Sequence, residues 1–321
     1  MNNKTILIVL GEPYSTFSEI IGKYLSKKKN FLNKLILIGN VNLLKDQLNK
    51  LNISIVLNEI KNLDEAKKSK INILNIKFSY KKIFSKISIK SSEYIENCFN
   101  MSLKILKNKK NDNYILINGP ISKKSFLKKK FLGITEYLSK KTNSKDEIML
   151  IFNNKLSVSP LTTHIPIKYV SKNIKKRKIY NNAIKIDKFY KKILGKRAKI
   201  AVLGLNPHCE TIDKISEEEK IIIPAIKNLK KKGLNVNGPF AADTFFIKKN
   251  LDKYNVVIGM YHDQVLTPIK TLYNFDAINI TIGLPFIRIS PDHGPNLAML
   301  GKNKSDPSSF KYAIKFIENL K

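Results

Sequence analysis

The chain has 321 residues, 59 basic and 25 acidic, a formal net charge of +34 and 43% hydrophobic residues. That length suits two domains or one large α/β unit, and the apolar content excludes wholesale disorder. Cys98 and Cys209 are too few for a disulfide framework or a cysteine zinc site. No apolar run approaches the ~20 residues of a membrane-spanning helix, and no secretory apolar core opens the chain, so a soluble cytoplasmic protein without a membrane partner is expected.

Strands are predicted at Ile6–Leu10, Lys34–Gly39, Ile53–Leu57 and Tyr114–Asn118, then at Ile148–Phe152, Lys155–Leu161, Lys199–Leu205, Val256–Tyr261 and Ala277–Ile282. Pro160 marks Lys155–Leu161 as a strand end or a sheet edge. Helices are predicted at Phe17–Lys27, Ser91–Leu106, Glu217–Lys231 and Ser308–Leu320. The third opens with Ser216 and Glu219 at capping-box spacing and contains Pro224, which should kink it. The last carries Phe310, Ala313, Ile314, Ile317 and Leu320 at helical spacing. Such alternation implies an α/β fold with parallel strands.

The charge excess is almost all lysine; Arg177, Arg197 and Arg288 are the only arginines. Lysine with abundant isoleucine and asparagine is what AT-rich codons encode. Nucleic-acid readers favour arginine for bidentate contacts, so no nucleic-acid partner is expected. A positive field does favour a small anionic substrate. The lysine clusters at 123–130 and 172–178 read as solvated faces.

Strings rich in Gly, Pro, His and Asp follow the predicted strands: Gly11-Glu12-Pro13, Gly119-Pro120, Gly204 to His208 and Tyr261 to Gln264. Pro291 to Gly294 is similar but lies farther from its strand. In open α/β sheets ligands bind beyond the carboxyl ends of strands. Neither a Rossmann glycine loop nor a P-loop is present. All four histidines, His164, His208, His262 and His293, fall in strings of this kind. His164, His208 and His262 lie near strand ends, and three neutral imidazoles suit a divalent metal with open positions. Taken singly, Asp243 and Thr244 read as a turn or cap, Asn279 as a strand residue and Lys270 as one lysine among many. Arg288 reads as a bidentate clamp for a carboxylate or phosphate, or as a structural ion pair.

Together these strings resemble the 4-hydroxythreonine-4-phosphate dehydrogenase family of vitamin B6 biosynthesis. They include Asn118-Gly-Pro120, Gly133 to Glu136, Thr162 to Pro166, Asn237 to Pro239, Ala242 to Thr244, Asn279 to Arg288 and Asp292 to Gly294, in order over nearly the whole chain. The resemblance implies two α/β/α domains of isocitrate/isopropylmalate dehydrogenase type with a cleft between them, here residues 1–120 with 275–321, and 121–274 with dimer contacts. It implies a homodimer with the active site at the interface, NAD or NADP, and a divalent metal (Zn, Mg or Co) on His164, His208 and His262. Thr135, Lys270, Asn279 and Arg288 match substrate-binding positions, and His293 and Gly294 match a string beside the cofactor. Lys270 and Asp243 are the catalytic candidates for proton transfer.

The implied reaction is oxidation and decarboxylation of 4-phosphohydroxy-L-threonine, a small anionic phosphorylated substrate, to 3-amino-2-oxopropyl phosphate. The alternatives are a dehydrogenase of a threonate or erythronate 4-phosphate type of substrate, and a catalytically lapsed binding protein. Two departures stand out. Ile134 replaces the family's substrate-contacting histidine, and Tyr14-Ser-Thr-Phe-Ser18 replaces a glycine-rich loop, losing glycine-permitted backbone conformations.

Overall fold

The computed structural model describes residues 4–28, 30–108, 113–122, 125–127, 130–131, 133–210, 216–274, 277–291 and 294–320. By contacts the chain divides into Met1–Ser144 with Leu284–Asn319, and Lys145–Gly283 with Leu320–Lys321.

The first unit contains β1 (Thr5–Val9), α1 (Phe17–Leu25), β2 (Lys34–Gly39), α2 (Val41–Lys50), β3 (Leu57–Ile60), β4 (Ile71–Asn75), α3 (Ile89–Asn108), β5 (Tyr114–Asn118) and α4 (Ile134–Lys141). The second contains β6 (Ile148–Phe152), β7 (Ser157–Thr162), α5 (Val170–Asn173), α6 (Lys176–Leu194), β8 (Ile200–Leu203), α7 (Ile223–Lys231), β9 (Val236–Phe240), α8 (Ala242–Phe245), α9 (Lys248–Leu251), β10 (Val256–Tyr261), α10 (His262–Tyr273) and β11 (Ile278–Ile282). The chain returns to the first unit with β12 (Ile287–Pro291) and α11 (Ser308–Glu318).

In the first unit the strand order is β3-β4-β2-β1-β5-β12, with all pairs parallel. Ile6 and Ile8 are as fully buried as Leu7 and Val9, so both faces of β1 are covered. Such coverage explains why parallel strands read as unbroken apolar runs. Leu7, Val9, Ile36 and Ile38 join Tyr94, Cys98 and Phe99 of α3 in one core cluster. Elsewhere α1 meets α11 through edge-to-face pairs of Phe17 and Tyr24 with Phe310. Tyr137 and Leu138 of α4 enter the same cluster as Leu7, which carries the contact boundary to residue 144 rather than 120.

In the second unit the order is β11-β6-β7-β10-β8-β9. β7, β10, β8 and β9 run parallel, and β6 is antiparallel to both β7 and β11. Val158, Ala201, Leu203 and Val257 pack against Val265, Leu266 and Ile269 of α10.

Three expectations change. Ile53–Leu57 is not a strand. The Ile53 N–H bonds to Leu48 O at 2.9 Å in the turn after α2, and pairing starts at Leu57, against the unforeseen β4. Pro160 is neither at a strand end nor at an edge; it lies inside β7, opposite Gly259. Its missing N–H is tolerated because the described β6 register pairs β7 only at Val158, and the Ser159 hydroxyl bonds to Met149 O at 2.7 Å. Pro224 does not kink a continuous helix. It sits in the first turn of α7, after a π-helical turn over Glu218–Ile222. The Ser216 hydroxyl does accept the Glu219 N–H, at 3.2 Å. No helix among the described residues is long and apolar enough to cross a membrane.

Candidate active site

The carboxyl ends of β7, β10, β8 and β9 lie on one edge of the second unit's sheet. The segments leaving them carry, in the same order, His164, His262, His208 and Asp243. Two side chains fix this edge. The Thr162 hydroxyl at the end of β7 donates to Met260 O of β10 at 2.7 Å. Gln264, buried in the first turn of α10, accepts the Met260 N–H and donates to Gly204 O after β8, both at 2.7 Å. The exits carrying His164, His262 and His208 are thus bonded pairwise.

The ring centres of His164 and His262 are 5.7 Å apart. An imidazole bound at about 2 Å has its centre roughly 3 Å from the ion, so two ligand rings at a tetrahedral angle are roughly 5 Å apart. The pair is close to that spacing. Nδ1 of His262 lies 2.6 Å from Asp263 Oδ1. A proton held there directs the other ring nitrogen outward, as in carboxylate–histidine–metal arrangements. Nδ1 of His208 lies 3.8 Å from Asp243 Oδ2. Among the described residues no three His, Cys, Asp or Glu side chains converge closely enough to hold an ion as they stand. The structure therefore brings two of the three histidines together and sets the third beside Asp243.

His208 and Cys209 have φ of +56° and +61°. Left-handed backbone costs an L-residue roughly 1–2 kcal/mol and persists where its surroundings enforce it. Glu218 anchors the backbone that leads into these two residues. Its Oε1 accepts the N–H groups of Leu205 (2.7 Å) and Asn206 (2.9 Å), and its Oε2 accepts the Asn206 amide at 2.8 Å. Burial raises its pKa, but the hydrogen bonds from Asn206, its own backbone and Leu205 outweigh this and leave it below the ordinary value. Glu217 takes the Asn206 amide as well, at 3.0 Å. Neither Gln264 nor Glu218 stands out in the sequence, although Gln264 ends the string that begins at Tyr261.

The other predicted residues of this unit are dispersed. Lys270 is exposed on the last turn of α10. Asn279 is half-buried on β11, opposite Ile151, and its Oδ1 is buried without a hydrogen-bond partner. An orphaned acceptor of this kind fits a ligand donor.

In the first unit Arg288 pairs in register with Leu116, so it shares a face with Leu116 and Asn118 of β5. It is 1% exposed, and its Nε donates to Asn118 Oδ1 at 2.7 Å. Burial lowers the guanidinium pKa to about 10, opposed by the charge of Glu136. Thr135 and Glu136 occupy the first turn of α4, half-buried, while Ile134 packs against the apolar cluster. Arg288 and Asn118 thus form a buried hydrogen-bonded pair under the charge of half-buried Glu136, which only tertiary packing discloses.

The β1 and β5 exits touch. Gly11 has φ +74°, a Cβ there would lie 2.5 Å from Pro120 O, and the Glu12 N–H donates to Pro120 O at 2.9 Å. Beyond it, residues 14–18 reach α1 without a positive φ, held by the Ser15 hydroxyl on Glu12 O at 2.8 Å. The Thr16 N–H donates to Pro295 O at 3.1 Å, next to Gly294, whose missing Cβ would meet nothing within 4 Å. His293 lies outside the described residues. Glu12 itself is buried, which pushes its carboxyl up to about 7 against hydrogen bonds from Tyr14 and Ser91.

An α/β chain that gathers imidazoles and a carboxylate at the carboxyl edge of parallel strands has the build of an α/β enzyme. It belongs to the family described as pyridoxal phosphate biosynthetic protein PdxA, whose family model it matches over residues 31–317. The 4-hydroxythreonine-4-phosphate dehydrogenase of Sulfurihydrogenibium sp. is 36% identical over 324 residues, covering 98% of each chain. That of Aquifex aeolicus is 33% identical over 329 residues, covering 99% of this chain and 98% of its own. The crystal structure of the Klebsiella pneumoniae enzyme of that name superposes with a TM-score of 0.84 at 28% identity, covering 98% of both chains. The chain is accordingly an oxidoreductase of the dehydrogenase type.

Proposed function

We propose that this chain oxidises 4-phosphohydroxy-L-threonine with NAD or NADP and releases CO₂, forming 3-amino-2-oxopropyl phosphate for pyridoxal phosphate synthesis. The observation that carries this reading is the run of His164, His262, His208 and Asp243 along four adjacent parallel strand ends. Full-length relatives named for this activity support it.

In this reading His164, His208 and His262 hold a divalent cation. Their donor set suits one, the His164–His262 spacing is near that of co-ligands, and His208 must approach them on loading. A cation held there would supply Lewis-acid chemistry, lowering the pKa of a hydroxyl and offsetting negative charge on oxygen. A bound nicotinamide would supply the hydride acceptor. Asp243 and Lys270 move the protons, one taking the hydroxyl proton and one returning a proton to carbon after CO₂ leaves. Thr135, Asn279 and Arg288 bind the substrate's anionic and polar groups, and Gly294 leaves room for the cofactor. We place the chain in the cytoplasm as a homodimer with its site at the interface.

A second reading has one specific support. The D-threonate 4-phosphate dehydrogenase of Salmonella typhimurium is 30% identical over 316 residues, covering 95% of this chain. A substrate panel decides between them. Turnover of 4-phosphohydroxythreonine above D-threonate and D-erythronate 4-phosphates, with each cofactor, supports the first reading. The opposite ranking replaces it by the second.

A further inference from the structure

We propose that the cleft between α6 and α7 of the second unit is a binding site for a small phosphate-bearing anion. The cleft is shallow and open to solvent, offers about 570 Å³, and is lined by half-buried Tyr180 and by exposed Lys176, Arg177, Asn228, Lys231 and Lys232. It shares no residue with the strand-end site. Its volume lies within the range of small-molecule sites.

Four cations converge on it. No acidic side chain lines it, and none of the four has an ion-pair partner among the described residues. Lys232 rests over the Tyr180 ring, 5.4 Å from its centre. Like charges gathered on one surface raise the local positive potential and favour an anion there. The alkyl stems and the Tyr180 ring supply apolar walls, and the Asn228 amide is a neutral donor and acceptor.

Lysine abundance explains a solvated basic face, and composition alone reads residues 172–178 in that way. It does not explain Arg177, one of three arginines in the chain. Arg288 is buried on Asn118, and Arg197 reaches Gly233 O. Arg177 is the one that lines a cleft, and its planar fork matches two phosphate oxygens where an ammonium meets one.

The test is calorimetric titration of the full chain with inorganic phosphate and with AMP, at two salt concentrations. The variant Lys176→Gln/Arg177→Gln/Lys231→Gln is compared with the charge-matched Lys248→Gln/Lys249→Gln/Lys253→Gln. The cleft variant is expected to lose one phosphate-binding event, or to weaken it at least tenfold, with unchanged dehydrogenase kcat and KM. The control variant is expected to keep that event within twofold. Phosphate and AMP distinguish a free from an esterified phosphate as occupant. Retention of every binding event in the cleft variant overturns the proposal. Equal weakening in both variants overturns it too, since total charge would then be the cause.

Discussion

Arg288 of β12 donates its Nε–H to Asn118 of β5 at 2.7 Å, joining two parallel strands where α4 brings Glu136 alongside. A buried guanidinium is tolerable only with such partners, and removing one member of a buried charged group costs more than the group contributes. Arg288→Lys cannot reproduce the Nε bond or the fork. Steady-state kinetics are expected to show kcat/KM lower by at least about tenfold, equivalent to ~1.4 kcal/mol. Asn118→Leu is expected to reproduce part of that loss with Arg288 present. Wild-type kinetics in Arg288→Lys would show that the arginine is incidental to turnover.

His164 and His208 are exposed, and His262 is one-third exposed at its side chain. Alanine at any one of them is expected to leave the circular dichroism spectrum unchanged and to weaken divalent-metal binding by tenfold or more. Titration of zinc or cobalt into each variant checks this. Unchanged affinity in all three would remove the metal from these residues.

Glu218 anchors the Leu205 and Asn206 backbone that leads into the left-handed turn at His208. Glu218→Ala leaves the Leu205 and Asn206 N–H groups without their acceptor, at about 2–4 kcal/mol. Metal affinity should fall with it, although Glu218 is not a predicted ligand. Its folded pKa is depressed, so its contribution is present above its unfolded value and is lost as the pH falls through the folded one. Urea unfolding of wild type and variant at acid and neutral pH reads both effects.

Glu12 shows the opposite sign. Its folded pKa of about 7 lies above the ordinary 4.5, so the stability from keeping it protonated is full below 4.5 and is lost as the pH rises through 7. The total is about 3 kcal/mol. Glu12→Gln, a neutral isostere, is therefore expected to gain on the wild type between pH 4.5 and 7 and to hold that gain above. A difference in unfolding free energy that stays flat over this range would show that Glu12 does not titrate there.

Ile134 packs half-buried against the first unit's core, beside Thr135. Ile134→His is expected to cost about 1–2 kcal/mol of stability through lost apolar burial, and to change KM for the phosphorylated substrate modestly. Chemical denaturation and kinetics measure the two separately. Activity appearing only in the histidine variant would mean that the natural substrate is another compound.

Sequence by itself determined the class of fold and placed the candidate site residues near strand ends. Buried parallel strands such as Ile6 to Val9 must be apolar on both faces, and that requirement is written in consecutive residues. The strings carrying His164, His208 and His262 were legible because strand ends are where an α/β sheet exposes chemistry. Tertiary structure decided what depends on partners distant in the chain. Strand β4 was hidden because Ile71–Asn75 lacks glycine or proline punctuation and is interrupted by Asn72, and Pro160 was admitted to a central strand by Ser159 on Met149. Gln264 and Glu218 look like ordinary helix residues until packing places them against Gly204 and Asn206, about 60 and 12 positions away. Arg288 could be singled out by its rarity. That it lies buried between Asn118 and Glu136 depended on strands 170 residues apart becoming neighbours, because desolvation and countercharge are properties of the packed chain.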